Sequence, residues 1–365
     1  MTASPASDTR GEYPGLLGCS ALIAGLIAIV SGVVLAFFRF WWGVSISVAS
    51  VVAIGLILSY ASRVERDRWR RRFDRLASIA PPEGEAWRDL CEGTGLGDFV
   101  PVIEDRVRQA VRVESHRAES EAIGIGQSRI GGLHDLPRGF EWPQYKGRSL
   151  RFLAQFDLAE VHKVHPEETL PAEGWLWFFY EPGGTMDGSD PADAGSARTY
   201  FAAEAPLERR ALPDDLVSGY AYQFCRVSFA QYDDPPDIDF DTALTESLTD
   251  EQYDAYCDIR SYLSGESTGA EHKLLGNPQP VQGPMESECE QVANGMSCAA
   301  SRGTEEPGSL EPASGATQWR LLLQLECGDE AGMFWGDLGR VYFWIRASDL
   351  RERRFERIWA IAQCT

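Results

Sequence analysis

Long uncharged hydrophobic runs mark the N-terminal part of the chain. The first run contains 23 residues, at positions 16–38, and a second run follows at 43–61. The break between them, residues 39–42, reads Arg-Phe-Trp-Trp, and such aromatic residues are typical of a membrane interface. A helix rises about 1.5 Å per residue, so the first run is long enough to cross a hydrocarbon core of about 30 Å. The pattern predicts a transmembrane helical hairpin over residues 16–61, preceded by a tail at residues 1–15.

The positive charges near these runs predict their orientation. Seven arginines lie within residues 63–75, directly after the second run, whereas the break between the runs holds only Arg39. Cytoplasmic flanks of membrane helices are enriched in Lys and Arg. We therefore predict that both termini are cytoplasmic, that the lipid bilayer is the partner of residues 16–61, and that the protein lies in the bacterial inner (cytoplasmic) membrane.

The next stretch, residues 62–113, has the apolar spacing of helices. It predicts one helix over residues 62–80, a short one around residues 85–91 and another over residues 100–113. We interpret the whole stretch as a helical stalk that leads into the main domain at residues 114–365.

From residue 150 onward, apolar and aromatic runs bounded by turn residues predict β-strands. A helix is predicted after Thr249, because Thr249 and Gln252 have the spacing of a capping box. The predicted fold class is α+β, with a pseudo-duplicated, largely antiparallel β-sheet domain, flanking helices and the N-terminal transmembrane hairpin. The predicted strands cover residues 150–158, 174–180, 198–203, 223–229, 319–325 and 340–345.

An internal repeat underlies the predicted duplication. The segment LRFLAQFDL at residues 150–158 matches WRLLLQLEC at residues 319–327, which aligns Gln155 with Gln324. Each copy is followed by a glycine and an aromatic strand, GWLWFF in the first and GRVYFW in the second. Two related units favour one pseudo-symmetric domain over two independent domains. Chance similarity between apolar strands is the alternative explanation.

Residues 283–318 interrupt the second copy. They are rich in Gly, Ser, Glu and Pro and hold few large aliphatic side chains. Such a segment has little apolar surface to bury. The composition predicts an acidic, exposed and mobile insertion.

The charge of the chain excludes one class of partner. There are 55 acidic and 34 basic residues, with a net charge of −21. Because residues 1–75 carry more basic than acidic side chains, the remainder of the chain is strongly acidic. Nucleic-acid binding requires clustered cations, so we expect no nucleic-acid partner.

Six motifs, in order along the chain, resemble those of a known family. They are SRIGGL at residues 128–133, LPRGFEWP at 136–143, FLAQFDL at 152–158, HKLLGNPQ at 272–279, WGDLG at 335–339 and the terminal Gln363-Cys364. Together they closely resemble the YwqG-like family, a bacterial domain of unknown function, over about residues 110–365. The resemblance implies a compact α+β domain with an internal duplication, and it implies no established activity.

Motifs with familiar spacing do not lead to a catalytic or metal site. The segment GIGQSR at residues 124–129 begins like a dinucleotide-binding loop, but Arg129 stands where the last glycine belongs. His162 and His165 have the spacing of two metal ligands on one helical turn, although exposed histidines in a connector are the simpler interpretation. We predict no catalytic residue, no metal and no cofactor, and whether the domain is an enzyme stays open, with a non-enzyme favoured.

A set of polar and aromatic residues forms the candidate ligand site. Two glutamines repeat within apolar strands, where a buried amide requires hydrogen-bond partners. In one interpretation they face a shared groove and bind a ligand, and in the other each joins its strand to an adjacent loop. The single histidine of the set is a possible acid–base group. The candidates are Arg129, Gln155, Asp157, His272, Gln324, Trp335 and Asp337.

Two functional hypotheses follow from the sequence. The acidic composition and the lack of a catalytic motif favour a membrane-tethered module that binds a basic protein partner, for example an immunity-type factor that captures a basic toxin domain. The alternative is a small-molecule sensor or an enzyme with a pocket between the two repeats. A less specific possibility is that the acidity serves solubility alone.

Overall fold

The chain divides into two compact units, Met1–Arg75 and Leu76–Thr365. In the first unit the described residues are helical, and the second unit contains the β-sheet. The structure, a computed structural model, describes residues 67–68, 70–79, 86–119, 123–181, 183, 187–216, 221–265, 272–298, 314–328 and 330–365.

Membrane-spanning helices are not found in the part of the chain that the structure describes. None of its helices is both long enough and apolar enough to cross a bilayer. This finding corrects the predicted fold class, which included a transmembrane hairpin, and it corrects the predicted location in the inner membrane. The residues assigned to the hairpin, 16–61, lie outside the described residues.

A single antiparallel sheet forms the centre of the second unit. The strands are β1 (Arg108–Arg117), β2 (Arg129–Ile130), β3 (His134–Pro137), β4 (Gln144–Tyr145), β5 (Arg148–Ser149), β6 (Arg151–Asp157), β7 (Trp175–Tyr180), β8 (Ala197–Ala202), β9 (Leu207–Arg210), β10 (Cys225–Asp234), β11 (His272–Leu275), β12 (Trp319–Glu326), β13 (Arg340–Arg346) and β14 (Ile358–Gln363). The 10-stranded sheet has the order β14-β13-β12-β11-β1-β10-β2-β6-β7-β8. Its neighbouring strands are all antiparallel. The structure thus supports a largely antiparallel sheet with helices.

The helices of the second unit are α1 (Ala86–Gly93), α2 (Val100–Ile103), α3 (Leu158–Val164), α4 (Thr242–Thr245), α5 (Asp250–Ser264), α6 (Glu286–Ala293) and α7 (Ala347–Arg351). Helices α1, α2, α4 and α5 share one apolar cluster. Helix α5 begins at the predicted capping box. The Thr249 side chain accepts from the backbone N–H of Gln252 at 3.3 Å, and the Gln252 side chain accepts from the backbone N–H of Thr249 at 3.1 Å. The sequence prediction of this helix start is confirmed.

A central strand lies where the sequence pattern predicts helix. Helix α2 ends at Ile103, and the chain then forms β1, which pairs along its whole length with β10 and also with β11. Over so short a run, the apolar spacing of Val107, Val111 and Val113 fits either a helix or a strand. Pairing with two strands that are distant in sequence decides the outcome. The helix predicted over residues 100–113 is therefore corrected, and the predicted domain start at residue 114 falls within β1.

The two halves of the sheet have matching strand orders. On one side of the β1–β10 pair lie β11, β12, β13 and β14, and on the other side lie β2, β6, β7 and β8 in the matching order. The strand pairs β6–β7 and β12–β13 each contain a register shift, between Phe152 and Ala154 and between Leu321 and Leu323. The sequence repeat aligns these two positions with each other. The repeated segments thus occupy equivalent places in the sheet.

Both halves contribute to one apolar core. Phe178 of β7 and Phe343 of β13 meet there edge-to-face, with ring centroids 5.2 Å apart. The strands that carry them are buried on both faces, which explains why their sequences are continuously apolar instead of alternating. The outer face of each half packs against a separate, smaller cluster.

The beginning of the predicted insertion belongs to one of these outer layers. Helix α6 lies within residues 283–318, and Met285, Cys289 and Val292 are buried. Met285 and Cys289 pack in the same cluster as Trp319 and Trp344. The prediction of an exposed insertion is therefore corrected for this part, because Met285, Cys289 and Val292 are buried, whereas Met296 is 53% exposed. Residues 299–313 lie outside the described residues.

Candidate functional site

The two repeated glutamines make equivalent internal hydrogen bonds. Oε1 of Gln155 accepts from the backbone N–H of Asp135 at 2.9 Å, and its Nε2 donates to the carbonyl of Gln127 at 3.1 Å. Oε1 of Gln324 accepts from the backbone N–H of Gln279 at 3.0 Å, and its Nε2 donates to the side chain of Gln279 at 2.6 Å. Both glutamines are fully buried. Each one joins its strand to an adjacent segment, as the structural interpretation of the repeat predicts.

Beside each glutamine lies a buried cation. Arg129 pairs in register with Gln155, and Lys273 pairs in register with Gln324. Lys273 forms an ion pair with Asp234, with Nζ 2.8 Å from Oδ2. Both cations have a buried carboxylate partner. These internal ion pairs explain the two cations without a ligand.

Arg129 and its partner Asp135 are both completely shielded from solvent. The second oxygen of Asp135 accepts from Nε of Arg209 at 2.9 Å, and Nη1 of Arg129 donates to the carbonyl of Leu133 at 3.0 Å. Burial lowers the pKa of Arg129 to about 10, against the opposing effect of Asp135. The guanidinium thus stays charged within a closed internal network.

His272, the possible acid–base group, lies at the start of β11, and Asp157 lies at the end of β6. Nδ1 of His272 accepts from the backbone N–H of Glu326 at 3.1 Å, and burial lowers the pKa of His272 to about 4. Asp157 accepts from the backbone N–H of Ala159 at 2.9 Å and caps α3, while burial raises the pKa of Asp157. Each side chain has a local backbone partner that explains its position.

The remaining two candidates belong to the loop between β12 and β13. Trp335 packs edge-to-face against Tyr180 and Tyr222, at centroid distances of 5.7 and 6.0 Å. Asp337 is exposed, and its carbonyl accepts from the backbone N–H and the hydroxyl of Thr365, both at 2.9 Å. This loop therefore covers the first half of the sheet and fixes the C-terminus.

The structure does not bring the seven candidates together. Ala154 and Phe156, which flank Gln155, belong to the common core, and so do Leu323 and Leu325, which flank Gln324. Side chains alternate across a strand, so each glutamine points away from that core, on the outer face of its own half. Ligand binding by these residues stays a prediction.

A cleft of about 620 Å³ opens between the two repeats instead. Its walls come from the start of β1, the loop after α3, the end of β11, the start of β12 and helix α7. The lining residues are Arg108, Gln109, His165, Glu167, Glu168, Thr169, Leu275, Gly276, Arg320, Leu321, Ala347, Leu350 and Arg351. Sequence reasoning missed this site, because its residues are dispersed over five segments and only Leu275 and Gly276 belong to one of the six family motifs. The repeat itself was the only available signal, since it predicted a possible pocket between the two copies.

The end of β11 turns sharply at the cleft. Leu275 and Gly276 have φ angles of 61° and 76°, the left-handed region that glycine adopts at low cost. A Cβ atom on Gly276 would lie 2.4 Å from Oδ2 of Asp234 and 2.6 Å from Cβ of Ala110. Glycine is therefore required for the close approach of this turn to β1 and β10.

A chain of side-chain hydrogen bonds fixes the polar part of the cleft. His165 is only 2% exposed, and its Nδ1 lies 3.2 Å from Oε1 of Gln231, to which it donates. Nε2 of Gln231 donates to Oε1 of Gln109 at 2.7 Å, and Gln109 in turn donates to Asp233. Nε2 of His165 lies 3.9 Å from a carboxylate oxygen of Glu167. This network holds His165 and Gln109 in place before any ligand binds.

Three arginines give the cleft its positive charge. Arg108 and Arg320 are half-buried and Arg351 is exposed. Burial lowers the pKa of Arg108, and the like charge of Arg320 lowers it further, whereas Glu286 and Asp234 act in the opposite direction. Within the residues that the structure describes, none of these three arginines forms a salt bridge.

A second groove, of about 690 Å³, lies beside β7 and has the opposite character. Its charged lining residues are carboxylates, Asp157, Glu173 and Glu204. In the described ranges, no group of three or more His, Cys, Asp or Glu side chains is arranged to hold a metal ion. The groove therefore offers an acidic surface and no defined set of ligands.

Comparison with known proteins identifies the family. A family model described as a domain of unknown function (DUF1963) matches residues 128–364, which is more than half of the chain. No match is found among curated proteins. The matched region includes both repeats and the cleft residues after β1. The chain therefore belongs to the family of domains of unknown function DUF1963.

Proposed function

We propose that this domain binds a small molecule in the cleft between its two repeats. The single observation that carries the proposal is a difference between two equivalent positions, one in each half of the sheet, beside the start of β6 and beside the start of β12. One of them is filled by the protein's own aromatic side chains, and the other is the open cleft. A pocket with a few fixed polar groups is the usual form of a small-molecule site.

The equivalence follows from the register of the strands. Arg108 lies three residues before Val111, which pairs with Leu274, and Tyr222 lies three residues before Cys225, which pairs with Ile130. Leu274 and Ile130 are equivalent because each directly follows the buried cation of its half. Arg320 and Arg151 are aligned in the sequence repeat. The pair Arg108 and Arg320 in the second half thus corresponds to Tyr222 and Arg151 in the first half.

In the first half this place is closed. The guanidinium of Arg151 lies 4.5 Å from the centroid of the Tyr222 ring, and Trp335 packs on the same ring. In the second half the corresponding loop, between β6 and β7, supplies His165 and two exposed glutamates, and the place stays open. The cleft is thus present in one half of the sheet only, so the fold that the two halves share does not by itself explain it.

Thermal denaturation of the full-length protein tests the proposal. The test compounds are single amino acids, dicarboxylates, nucleotides and sugars. Thr169→Trp places an indole at the exposed mouth of the cleft, and Thr242→Trp makes the same change at an exposed position on α4 as the control. We expect a compound that raises the Tm of the wild type and of Thr242→Trp, with the effect lost in Thr169→Trp. If no compound raises the Tm, or if Thr169→Trp responds like the wild type, the proposal is overturned.

A second candidate function is the binding of a basic protein partner, in the manner of an immunity-type factor. It is supported by the net charge of −21 and by exposed carboxylates near the start of α5, at Glu246, Asp250, Glu251 and Asp254. Electrostatic association weakens as salt rises. We expect capture of a basic protein at low ionic strength that is lost when these four residues are changed to Asn or Gln. Capture that is insensitive to these changes would refute this candidate.

The motifs from residue 128 onward also support the narrower assignment to the YwqG-like family within the domain of unknown function. The evidence for it is the order of the six motifs. The matched family model supports only the broader assignment.

A further inference from the structure

We infer that the ligand of the cleft is a small anion whose carboxylate or phosphate group is bound between Arg108 and Arg320. The inference rests on the proposed function and names the chemical class of the ligand. Its basis is the charge arrangement of the cleft compared with that of the equivalent place in the other half.

Two guanidinium groups share the cleft where the first half has a complementary pair. In the first half, the cation of Arg151 lies over the face of Tyr222, a favourable cation–π contact. In the second half, Arg108 replaces the tyrosine, so that Arg320 has a second cation as its neighbour. Like charges disfavour each other, most of all when they are partly buried. An anion between the two groups would convert this repulsion into two favourable contacts.

The hydrogen bonds of Arg320 leave donors for such an anion. Its Nη1 donates to the carbonyls of Thr317 at 2.7 Å and Trp319 at 2.8 Å. In the described part of the chain, Nε and Nη2 of Arg320 make no hydrogen bond. A guanidinium presents its N–H donors in a planar fork that fits carboxylate and phosphate oxygens. Arg320 is therefore held in position by two backbone carbonyls with the rest of its fork available.

Other charged groups near the cleft limit what the ligand can be. Asp234, which acts on Arg108, already accepts from Lys273 and from the backbone N–H of Asn277, both at 2.8 Å. Glu286 also acts on Arg108, and both effects are smaller than that of Arg320. Among the described residues, neither Asp234 nor Glu286 forms a salt bridge to Arg108. We therefore infer that neither carboxylate occupies the position between the two arginines.

The opposite wall suggests one anionic end and an uncharged or cationic remainder. Glu167 and Glu168 are exposed in the loop after α3 and line the cleft across from β12. They disfavour a ligand with negative charge along its whole length. The volume of about 620 Å³ lies within the range of small-molecule sites, about 300–1,000 Å³. The fitting ligand is thus a small carboxylate or phosphate ester, not a polyanion.

Isothermal titration calorimetry on the full-length protein tests this inference at constant ionic strength. Butyrate is the carboxylate test compound, glycerol 3-phosphate is the phosphate test compound, and butyramide is the neutral analogue. The variants are Arg320→Gln and Arg108→Gln in the cleft, with Arg151→Gln as the matched control in the first half. Circular dichroism confirms that each variant is folded, and Arg320→Lys keeps the charge without the planar fork.

We expect butyrate or glycerol 3-phosphate to bind to the wild type and to Arg151→Gln. The Kd should rise at least about tenfold in Arg320→Gln and in Arg108→Gln, because each loses a charged hydrogen-bond donor. Arg320→Lys should lie between the wild type and Arg320→Gln. Whichever anion binds identifies the carboxylate or the phosphate as the preferred group.

Three outcomes would overturn the inference. In the first, butyramide binds as tightly as butyrate. In the second, both cleft variants bind the anions like the wild type, or Arg151→Gln loses as much affinity as they do. In the third, neither anion binds. If a neutral compound then still binds in a way that Thr169→Trp abolishes, only the anion assignment has failed, whereas the absence of any binding also rejects the proposed function.

Discussion

Three charged side chains in the first half of the sheet form one buried network. Arg129, Asp135 and Arg209 form one network in which a single carboxylate accepts from two guanidinium groups. Removing one charge from a buried pair leaves the other without compensation. The loss of one charged side chain from this network should therefore lower the free energy of unfolding strongly.

Asp135→Asn is predicted to lower the free energy of unfolding by about 3–5 kcal/mol, since it leaves Arg129 charged and fully buried. Glu208→Gln is the control, because its partner Arg138 is largely exposed and their charged atoms are 3.6 Å apart. Exposed pairs contribute less than about 1 kcal/mol. Urea denaturation of both variants measures the difference. Equal losses in the free energy of unfolding would show that the buried pair contributes no more to stability than the exposed pair.

His272 makes stability depend on pH. Burial holds its pKa at about 4, below the ordinary value of 6.5. As the pH falls through this window, the unfolded chain binds the proton first, so the folded state loses stability between pH 6.5 and pH 4. Buried His134, with a pKa lowered to about 3 by burial, acts in the same direction.

We predict that His272→Gln reduces this pH dependence by up to about 1.4 kcal/mol per pH unit within the window. Urea denaturation between pH 4 and pH 6.5 is the measurement. His116→Gln, at an exposed position on β1, should leave the profile unchanged. A profile that is the same for His272→Gln and the wild type would show that His272 is not held neutral in the folded state.

At the scale of elements, β1 is the segment on which the fold depends most. It lies between β10 and β11 and joins the two halves of the sheet. The family model begins at residue 128, after β1, so the matched region does not contain the strand at its own centre. Without β1, the edges of β10 and β11 would lack their partner, and unpaired strand edges promote aggregation.

A chain that begins at residue 120 is predicted to lose cooperative unfolding and to aggregate, because β1 is missing. A chain that begins at Leu76, the start of the second compact unit, is predicted to fold. Size-exclusion chromatography and urea denaturation followed by circular dichroism compare the two. Cooperative unfolding of the shorter chain would contradict the central role of β1.

At the scale of the whole molecule, the main feature is a difference between the two halves of the sheet in the second unit. The cleft is open in the second half, and the corresponding position in the first half is filled by aromatic side chains. The loop between β12 and β13 closes the first half with Trp335, while the loop between β6 and β7 leaves the cleft of the second half open. The two halves share one apolar core.

Arg108→Tyr is predicted to make the second half resemble the first and to stabilise the ligand-free protein. The new ring would stack with Arg320 as Tyr222 does with Arg151, and a cation–π contact contributes about 0.5–2 kcal/mol. Urea denaturation without ligand measures the gain. The reverse change, Tyr222→Arg, should destabilise the protein, and a loss of stability in Arg108→Tyr would contradict the equivalence of the two places.

The sequence by itself determined the elements whose information is local. The strands at Arg151–Asp157, Trp175–Tyr180, Trp319–Glu326 and Arg340–Arg346 are near their predicted bounds, because continuous apolar runs bounded by turn residues have few other ways to be buried. The capping box at Thr249 was also visible, since its two partners are three residues apart. The repeat was visible for the same reason, and its two segments form β6 and β12, which carry register shifts at the aligned positions.

Only the tertiary structure decided the features that depend on distant segments. β1 became a strand through its pairing with β10 and β11, and the start of the insertion was buried because Met285 and Cys289 pack against the outer face of the sheet. The glutamines were separated because alternation along their strands turned both away from the common core. The cleft combines five segments whose charges are unremarkable alone, and only the fold places Arg108 beside Arg320.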